Sequence, residues 1–191
     1  MSSRLSRRLV APTGTYVLHV LLRSGQEVVV ERRGGKHGAK RRTTYLLPSG
    51  NYLYVGSAFG PGGLASRIGR HLSSGAKVRH WDIDFLLASP ARACRVAAWA
   101  LPSSHKDGAE CRWAAAIFDA PGAKPVTGSF NGGKSERGFG AGDCRRRCGC
   151  AEGAPDAYRT HLFRVEWRPT LTRLRTLLCG RLVVASSRKG S

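Results

Sequence analysis

The sequence predicts a mixed α+β domain. The chain has 191 residues and 41% of them are hydrophobic, which is enough for one buried core. Runs rich in β-branched and aromatic residues alternate with segments whose apolar residues recur at helical spacing. No apolar run approaches the roughly 18 residues that a membrane span needs, and no secretory signal is evident near the start. We therefore expect a cytoplasmic protein, nucleoid-associated if the source is prokaryotic.

Six segments have the composition or the alternation of β-strands. They are residues 14–22, 26–31, 51–57, 80–87, 92–101 and 161–167. In the third segment, alternation places Tyr52 and Tyr54 on one face and Leu53 and Val55 on the other. Residues 32–42 carry many basic side chains and Gly-containing turn signals, which predicts a basic loop.

Three segments have the apolar spacing or the start signals of helices. They are residues 64–72, 107–118 and 171–178, the first after a glycine-rich turn and the second with Asp107 as N-cap. In the first of them, His71 falls inside the apolar stripe and Arg67 lies on its edge. Neither side chain is therefore expected to point straight into solvent.

These elements divide the chain into three parts. Residues 1–11 form an Arg/Ser-rich basic tail, residues 12–167 form one domain, and residues 168–191 form a basic helix and tail. Within the domain, residues 119–160 are rich in Gly and Arg and keep no period. Such a stretch predicts a functional loop or a disordered insertion.

The formal net charge is +20, from 32 Lys and Arg against 12 Asp and Glu. Such a charge on a small domain is typical of proteins that bind nucleic acid. An anionic membrane surface is the alternative partner, and an Arg-rich codon bias would account for the charge without one. No base-reading motif is present, so phosphate contacts should dominate and binding should weaken steeply with salt. The expected contacts are Arg32, Arg33, Lys36, Lys40, Arg41, Arg42, Arg70, Arg145, Arg146 and Arg147.

Glu110 is the most informative single residue. On its predicted helix it lies among Trp113, Ala114 and Ile117, on the apolar face. A carboxylate facing the core needs an arginine or a hard metal ion as partner, because an unpaired buried charge is costly. The spacing Asp107-x-x-Glu110 also fits a capping box, in which Glu110 only accepts a backbone N–H.

Six motifs follow one another over about residues 14–167. They are GTYVL, GNYLYVGSAFGPGGLASRIGRH, HWDID, AECRWA, GFGAGDC and HLF. In this order they resemble the GIY-YIG nuclease superfamily, which includes intron homing endonucleases and the incision subunit of bacterial nucleotide excision repair. The match is closest to a small branch with a domain of unknown function. The resemblance implies an α+β fold with a small three-stranded antiparallel sheet flanked by helices, here with added C-terminal strands.

The resemblance also implies a metal-dependent endonuclease that cleaves DNA by structure rather than sequence, in repair or recombination. RNA stays open as a substrate, and a non-catalytic nucleic-acid-binding module is the alternative function. Tyr54 would be the general base or its relay, with Tyr16 hydrogen-bonding beside it. Arg67 would stabilise the transition state, and His71 would orient water or phosphate. Glu110 would hold Mg²⁺ or Mn²⁺ on the leaving oxygen.

A second polar cluster is predicted on the segment 80–87. Strand alternation places His80, Asp82 and Asp84 on one face, although ordinary surface polarity would also account for them. Asp82 stands where the branch has a histidine, so it can bind only as a carboxylate. Asp143, in GFGAGDC, is a further candidate because this motif lies beside the site in the branch.

A zinc site is the last candidate. Cys144, Cys148, Cys150 and His161 have the spacing C-x3-C-x-C-x10-H, which offers four soft ligands. Ordinary thiols in a loop are the alternative interpretation.

Overall fold

The computed structural model describes residues 12–34, 39–73, 78–88, 94–104, 108–133, 135–140, 160–179 and 182–187. Within these ranges the chain forms ten strands and four helices. The strands are β1 (Gly14–Leu22), β2 (Gln26–Gly34), β3 (Ala39–Leu47), β4 (Gly50–Ala58), β5 (Cys94–Pro102), β6 (Ala123–Pro125), β7 (Thr127–Phe130), β8 (Ser135–Gly138), β9 (Leu162–Val165) and β10 (Val183–Ser187). The helices are α1 (Gly63–Leu72), α2 (Asp82–Leu87), α3 (Ala109–Phe118) and α4 (Leu171–Leu177).

The strands form two antiparallel sheets, so the α+β prediction is confirmed. One sheet has six strands in the order β10-β5-β1-β4-β9-β6, and the other has four in the order β2-β3-β7-β8. Both sheets are larger than the three-stranded sheet that was expected. At the centre of the larger sheet, β1 pairs with β4 and with β5 along its whole length.

Two apolar cores lie on opposite faces of the six-stranded sheet. One contains residues of α1, α2 and the four-stranded sheet, and the other contains residues of α3 and α4. Tyr52 and Tyr54 belong to the first core, and Leu53 and Val55 belong to the second. The alternation predicted for β4 is therefore confirmed.

The segment 80–87 is not a strand, and this prediction was wrong. Residues 82–87 form α2. The carboxylate of Asp84 stabilises the start of this helix, because it accepts hydrogen bonds from the backbone N–H groups of Trp81 and His80 at 2.8 and 3.1 Å. The helix has only six residues, so its apolar residues fit a period of two as well as a helical one.

The basic loop predicted at 32–42 is largely a hairpin. β2 continues to Gly34 and β3 begins at Ala39, leaving residues 35–38 outside the described part. Nine residue pairs join the two strands, and Thr43, Tyr45 and Leu47 turn inward along β3. Because one face of β3 is buried, the strand is extended, and the basic residues at its start belong to the strand rather than to a loop.

The segment 119–160 is also more ordered than predicted. β6, β7 and β8 lie in its first half, and residues 141–159 fall outside the described part. These strands have three or four residues each, and β6 and β7 pair with the distant strands β9 and β3. Partners so far away in sequence leave no local period to recognise.

The C-terminal helix predicted after Pro169 is confirmed as α4. The segment 168–191, predicted as a helix and tail, also contains β10, which pairs with β5. Among the described residues, no helix has the length and apolarity needed to cross a membrane.

Candidate functional site

A buried hydrogen bond joins β1 to α1. The hydroxyl oxygen of Tyr16 lies 2.9 Å from Nε2 of His71, and each residue is only 2% exposed. Leu64 and Ile68 bury the same face of α1, so the apolar stripe carries His71 into the core as the sequence predicts. The structure therefore brings two predicted site residues, 55 positions apart, into direct contact.

Gly56 is the point where the two tyrosines converge. It lies opposite Tyr16 in the β1–β4 pairing. A Cβ atom at Gly56 would lie 2.5 Å from the Tyr16 hydroxyl oxygen and 3.0 Å from Cε1 of Tyr54. Only glycine leaves room for both rings here.

Asp84 is a fully buried carboxylate behind this pair. Its Oδ2 accepts hydrogen bonds from Arg70 and from the two backbone N–H groups that begin α2. Its Oδ1 lies 3.7 Å from Nδ1 of His71. Asp84 therefore does not lie on a polar strand surface with His80, as alternation predicted, but is 0% exposed, whereas His80 is exposed.

Arg67 borders a pocket of about 220 Å³ at the N-terminal end of α1. The guanidinium carbon of Arg67 lies 4.6 Å from the centre of the Trp81 ring. No carboxylate of the described part of the chain lies within 4.0 Å of Arg67, so none of these residues neutralises its charge. The pocket is lined by Ala58, Gly60, Pro61, Gly63, Ser66, Arg67, Arg70, His80 and Trp81.

Asp82 has a structural partner. Nε and Nη2 of Arg32 both donate to its Oδ1, and Nη1 donates to the carbonyl of His80 at 2.8 Å. The backbone N–H of Gly140 donates to Oδ2 at 3.1 Å. Arg32, expected as a nucleic-acid contact, is thus partly used to hold α2 against β2.

Burial raises the pKa of Tyr45 far above its usual value, and the charge of Asp82 raises it further.

Glu110 lies on α3 and is held from β4 and from the residue before β9. Its Oε2 accepts a 2.5 Å hydrogen bond from the Ser57 hydroxyl, and its Oε1 lies 3.3 Å from Nδ1 of His161. The N-cap of α3 is Gly108, so the capping box that needs Asp107 there is wrong. Tertiary contacts, as expected for a carboxylate on an inward face, account for its position.

The site residues fall into two sets on opposite faces of the six-stranded sheet, both beside the end of β4. Tyr16, Tyr54 and His71 lie on the α1 side of the sheet, whereas Glu110 contacts Ser57, the residue after Gly56. Ser57 was missed by the sequence analysis. Its signal is the YVGSA motif, because strand alternation turns the residue after Gly56 to the opposite face.

Glu110 meets one requirement for binding a hard cation such as Mg²⁺. Mg²⁺ keeps several water ligands and needs only one or two protein carboxylates. Glu110 is 19% exposed at its side chain, so water can reach it. Among the described residues, no group of three or more His, Cys, Asp and Glu side chains is gathered for a metal. Among the described residues, Glu110 is the carboxylate proposed to hold Mg²⁺, with water and substrate completing its shell.

Several predicted residues fall outside the described part of the chain. They are Lys36, Asp143, Cys144, Arg145, Arg146, Arg147, Cys148 and Cys150, together with the side chain of Arg33. The zinc site stays a prediction, with only His161 described among its four ligands. Lys40, Arg41 and Arg42 are exposed on β3, where they are open to an anionic partner.

Comparison with known proteins places the chain in a family. Neither the curated proteins nor the solved structures gave a match. A family model described as domain of unknown function DUF123 matches residues 15–177, a range that runs from β1 to the end of α4. It includes every described residue of both sets at the end of β4. The chain thus belongs to the DUF123 family.

Proposed function

We propose that this protein is a metal-dependent endonuclease that hydrolyses phosphodiester bonds in DNA. The observation that carries the proposal is the buried Tyr16–His71 hydrogen bond, one helical turn from Arg67 at the pocket. It pairs a phenol hydroxyl with an imidazole nitrogen that can accept a proton, near a guanidinium that has no carboxylate partner among the described residues. The GIY-YIG resemblance supports the same reaction and suggests substrates recognised by structure, as in repair or recombination.

His71 makes a tyrosine usable as a base. A phenol with a pKa near 10 rarely loses its proton at neutral pH unless an acceptor or a positive charge favours the phenolate. His71 can take the proton of Tyr16 through Nε2. The phenolate oxygen then accepts a proton from water as the water oxygen attacks phosphorus and the bond to the leaving oxygen breaks. Tyr16 thus takes the base role that the resemblance implies for Tyr54, because Tyr16 is the tyrosine that contacts His71. Tyr54, packed beside Gly56, borders the same position.

Arg67 is the group that would stabilise the transition state. Its planar fork offers parallel donors to two phosphate oxygens, and Trp81 supports the guanidinium from one side. Glu110 would hold Mg²⁺ or Mn²⁺, which supplies positive charge to the leaving oxygen when bound. Ser57 and His161 would keep that carboxylate in place.

The surface around the pocket suits a nucleic acid. The guanidinium carbon of Arg79, two residues before Trp81 in the chain, lies 5.5 Å from the centre of the Phe85 ring, and that of Arg67 lies 4.6 Å from the centre of the Trp81 ring. Interleaved cations and aromatic rings bind phosphates and stack on bases. The same surface would also serve a module that binds nucleic acid without cleaving it, which is the alternative function.

The test is a cleavage assay on labelled duplex, flap, branched and single-stranded DNA, and on RNA, with Mg²⁺ or Mn²⁺. We expect cleavage by the native chain and none by Arg67→Ala or Glu110→Ala. Arg173→Ala is a matched control for Arg67→Ala, because the guanidinium carbon of Arg173 also lies over an indole ring, 4.1 Å from the centre of Trp167, on the face of the sheet opposite Arg67. Glu166→Ala is the second control, since Glu166 is exposed and bonded to Lys124 at 2.8 Å.

Both controls should cleave like the native chain. Tight binding without cleavage under any divalent ion would support the binding module instead. Cleavage that survives both site substitutions would place the reaction elsewhere and overturn the proposal.

A further inference from the structure

We infer that Asp84 fixes the tautomer of His71, so that Nδ1 carries the ring proton and Nε2 accepts the proton of Tyr16. Asp84 is then a positioning residue, because it acts on the reacting tyrosine only through His71. Its catalytic consequence rests on the proposed function, whereas the tautomer itself does not.

The two oxygens of Asp84 have different surroundings. Oδ2 accepts from Arg70 and from two backbone N–H groups. Oδ1 has no hydrogen-bond donor among the described residues, and the atom facing it is Nδ1 of His71 at 3.7 Å. The Asp84 and His71 side chains are both 0% exposed, so bulk water does not separate them.

The charge of the carboxylate decides between the two neutral forms of the ring. A proton on Nδ1 points a positive hydrogen at Oδ1, whereas a lone pair on Nδ1 would face a negative oxygen. At 3.7 Å the contact is longer than a hydrogen bond, so the preference is electrostatic, and because both side chains are 0% exposed, bulk water does not screen it. The carboxylate therefore favours the tautomer with the proton on Nδ1.

This tautomer sets the direction of the Tyr16–His71 hydrogen bond. With Nδ1 protonated, Nε2 has only a lone pair, so the Tyr16 hydroxyl must donate. When the proton moves from the Tyr16 oxygen to Nε2, His71 becomes an imidazolium beside the Asp84 carboxylate. In the other tautomer, Nε2 would donate to Tyr16 and could not take its proton.

The neighbouring charges fit this role. Arg70, on the same helix as His71, partly offsets the charge of Asp84 through Oδ2, the oxygen that does not face the histidine. Asp82 is the matched comparison on α2. It is also buried and paired with an arginine, but its second oxygen accepts from the Gly140 N–H rather than facing a histidine.

The test is the ¹⁵N NMR spectrum of the ring nitrogens in the full chain, with His71 assigned by comparison with His71→Gln. In the native chain, we expect the uncharged ring of His71 to carry its proton on Nδ1. A native spectrum with the proton on Nε2 would overturn the inference without any variant.

Asp84→Asn should lose this single tautomer and lower the cleavage rate at least tenfold, whereas Asp82→Asn should leave the His71 tautomer unchanged. An Asp84→Asn chain that folds, keeps the native tautomer and cleaves at the native rate would also overturn it. If Asp84→Asn does not fold, the native spectrum decides. A native chain with the expected tautomer that cleaves nothing would contradict the proposed function and leave the inference standing.

Discussion

Adding one methyl group at Gly56 is expected to push the ring of Tyr16 away from β4. The new Cβ would lie 2.5 Å from the hydroxyl oxygen and 2.6 Å from Cζ, distances that folded proteins do not tolerate. Tyr16 is 2% exposed, so its ring has no solvent to move into. Overpacking of this kind costs about 1–3 kcal/mol of unfolding free energy. For a chain of this size, a 2 kcal/mol loss lowers Tm by about 4–8 °C.

Gly69→Ala is the matched control. Gly69 lies in α1, and its Cβ would meet no atom within 4 Å. Removing a helical glycine there should raise the unfolding free energy by about 0.5–1 kcal/mol. Urea denaturation measures both variants, and NMR of the His71 ring reports whether its contact with Tyr16 has moved. Our reasoning fails if Gly56→Ala is as stable as the native chain and leaves the His71 signals in place.

Four other changes test the site, the basic surface and the buried core. Arg67→Lys should lower the cleavage rate about a hundredfold while DNA binding at low salt stays near native, because lysine keeps the charge but lacks the fork; equal rates would remove Arg67 from the mechanism. Tyr16→Phe should abolish cleavage and lower the unfolding free energy by about 1–3 kcal/mol, measured in urea, because a buried hydrogen bond loses one of its partners. Replacing the exposed basic residues 40–42 with serine should reduce the slope of log K against log salt by about 0.9 for each phosphate that the variant no longer neutralises, and an unchanged slope would exclude them from the interface. Burial raises the pKa of Tyr52 to about 12, above its unfolded value of about 10. The contribution of Tyr52 to stability is therefore complete below about pH 10 and falls as the pH rises toward 12. Between about pH 9 and about pH 11, the urea midpoint should drop further in the native chain than in Tyr52→Phe.

The sequence predicted elements best where a long local period agrees with burial. β1 was predicted with both of its bounds, and α1 with one residue's difference at its start. The burial of His71 was also predicted, because its place in the apolar stripe depends only on helical geometry. These features are set by residues close together in the chain.

Features that depend on distant partners were not predictable in the same way. The partners of Glu110 come from β4 and from the residue before β9, and no local pattern joins them. The alternation of 80–87 was real but too short to decide its period. Asp84 decides it by accepting hydrogen bonds from the backbone N–H groups of His80 and Trp81, just before α2, an interaction that the spacing alone did not reveal.

β10 has a consequence for solubility. It lies at one end of the six-stranded sheet and covers β5, whose sequence includes the apolar run Ala97–Leu101. The DUF123 match ends at residue 177, before this strand begins. A chain trimmed to the matched range would leave the N–H and C=O groups on the outer side of β5 unpaired. An unpaired strand edge can pair with strands of other molecules, so we expect β10 to protect the fold against aggregation.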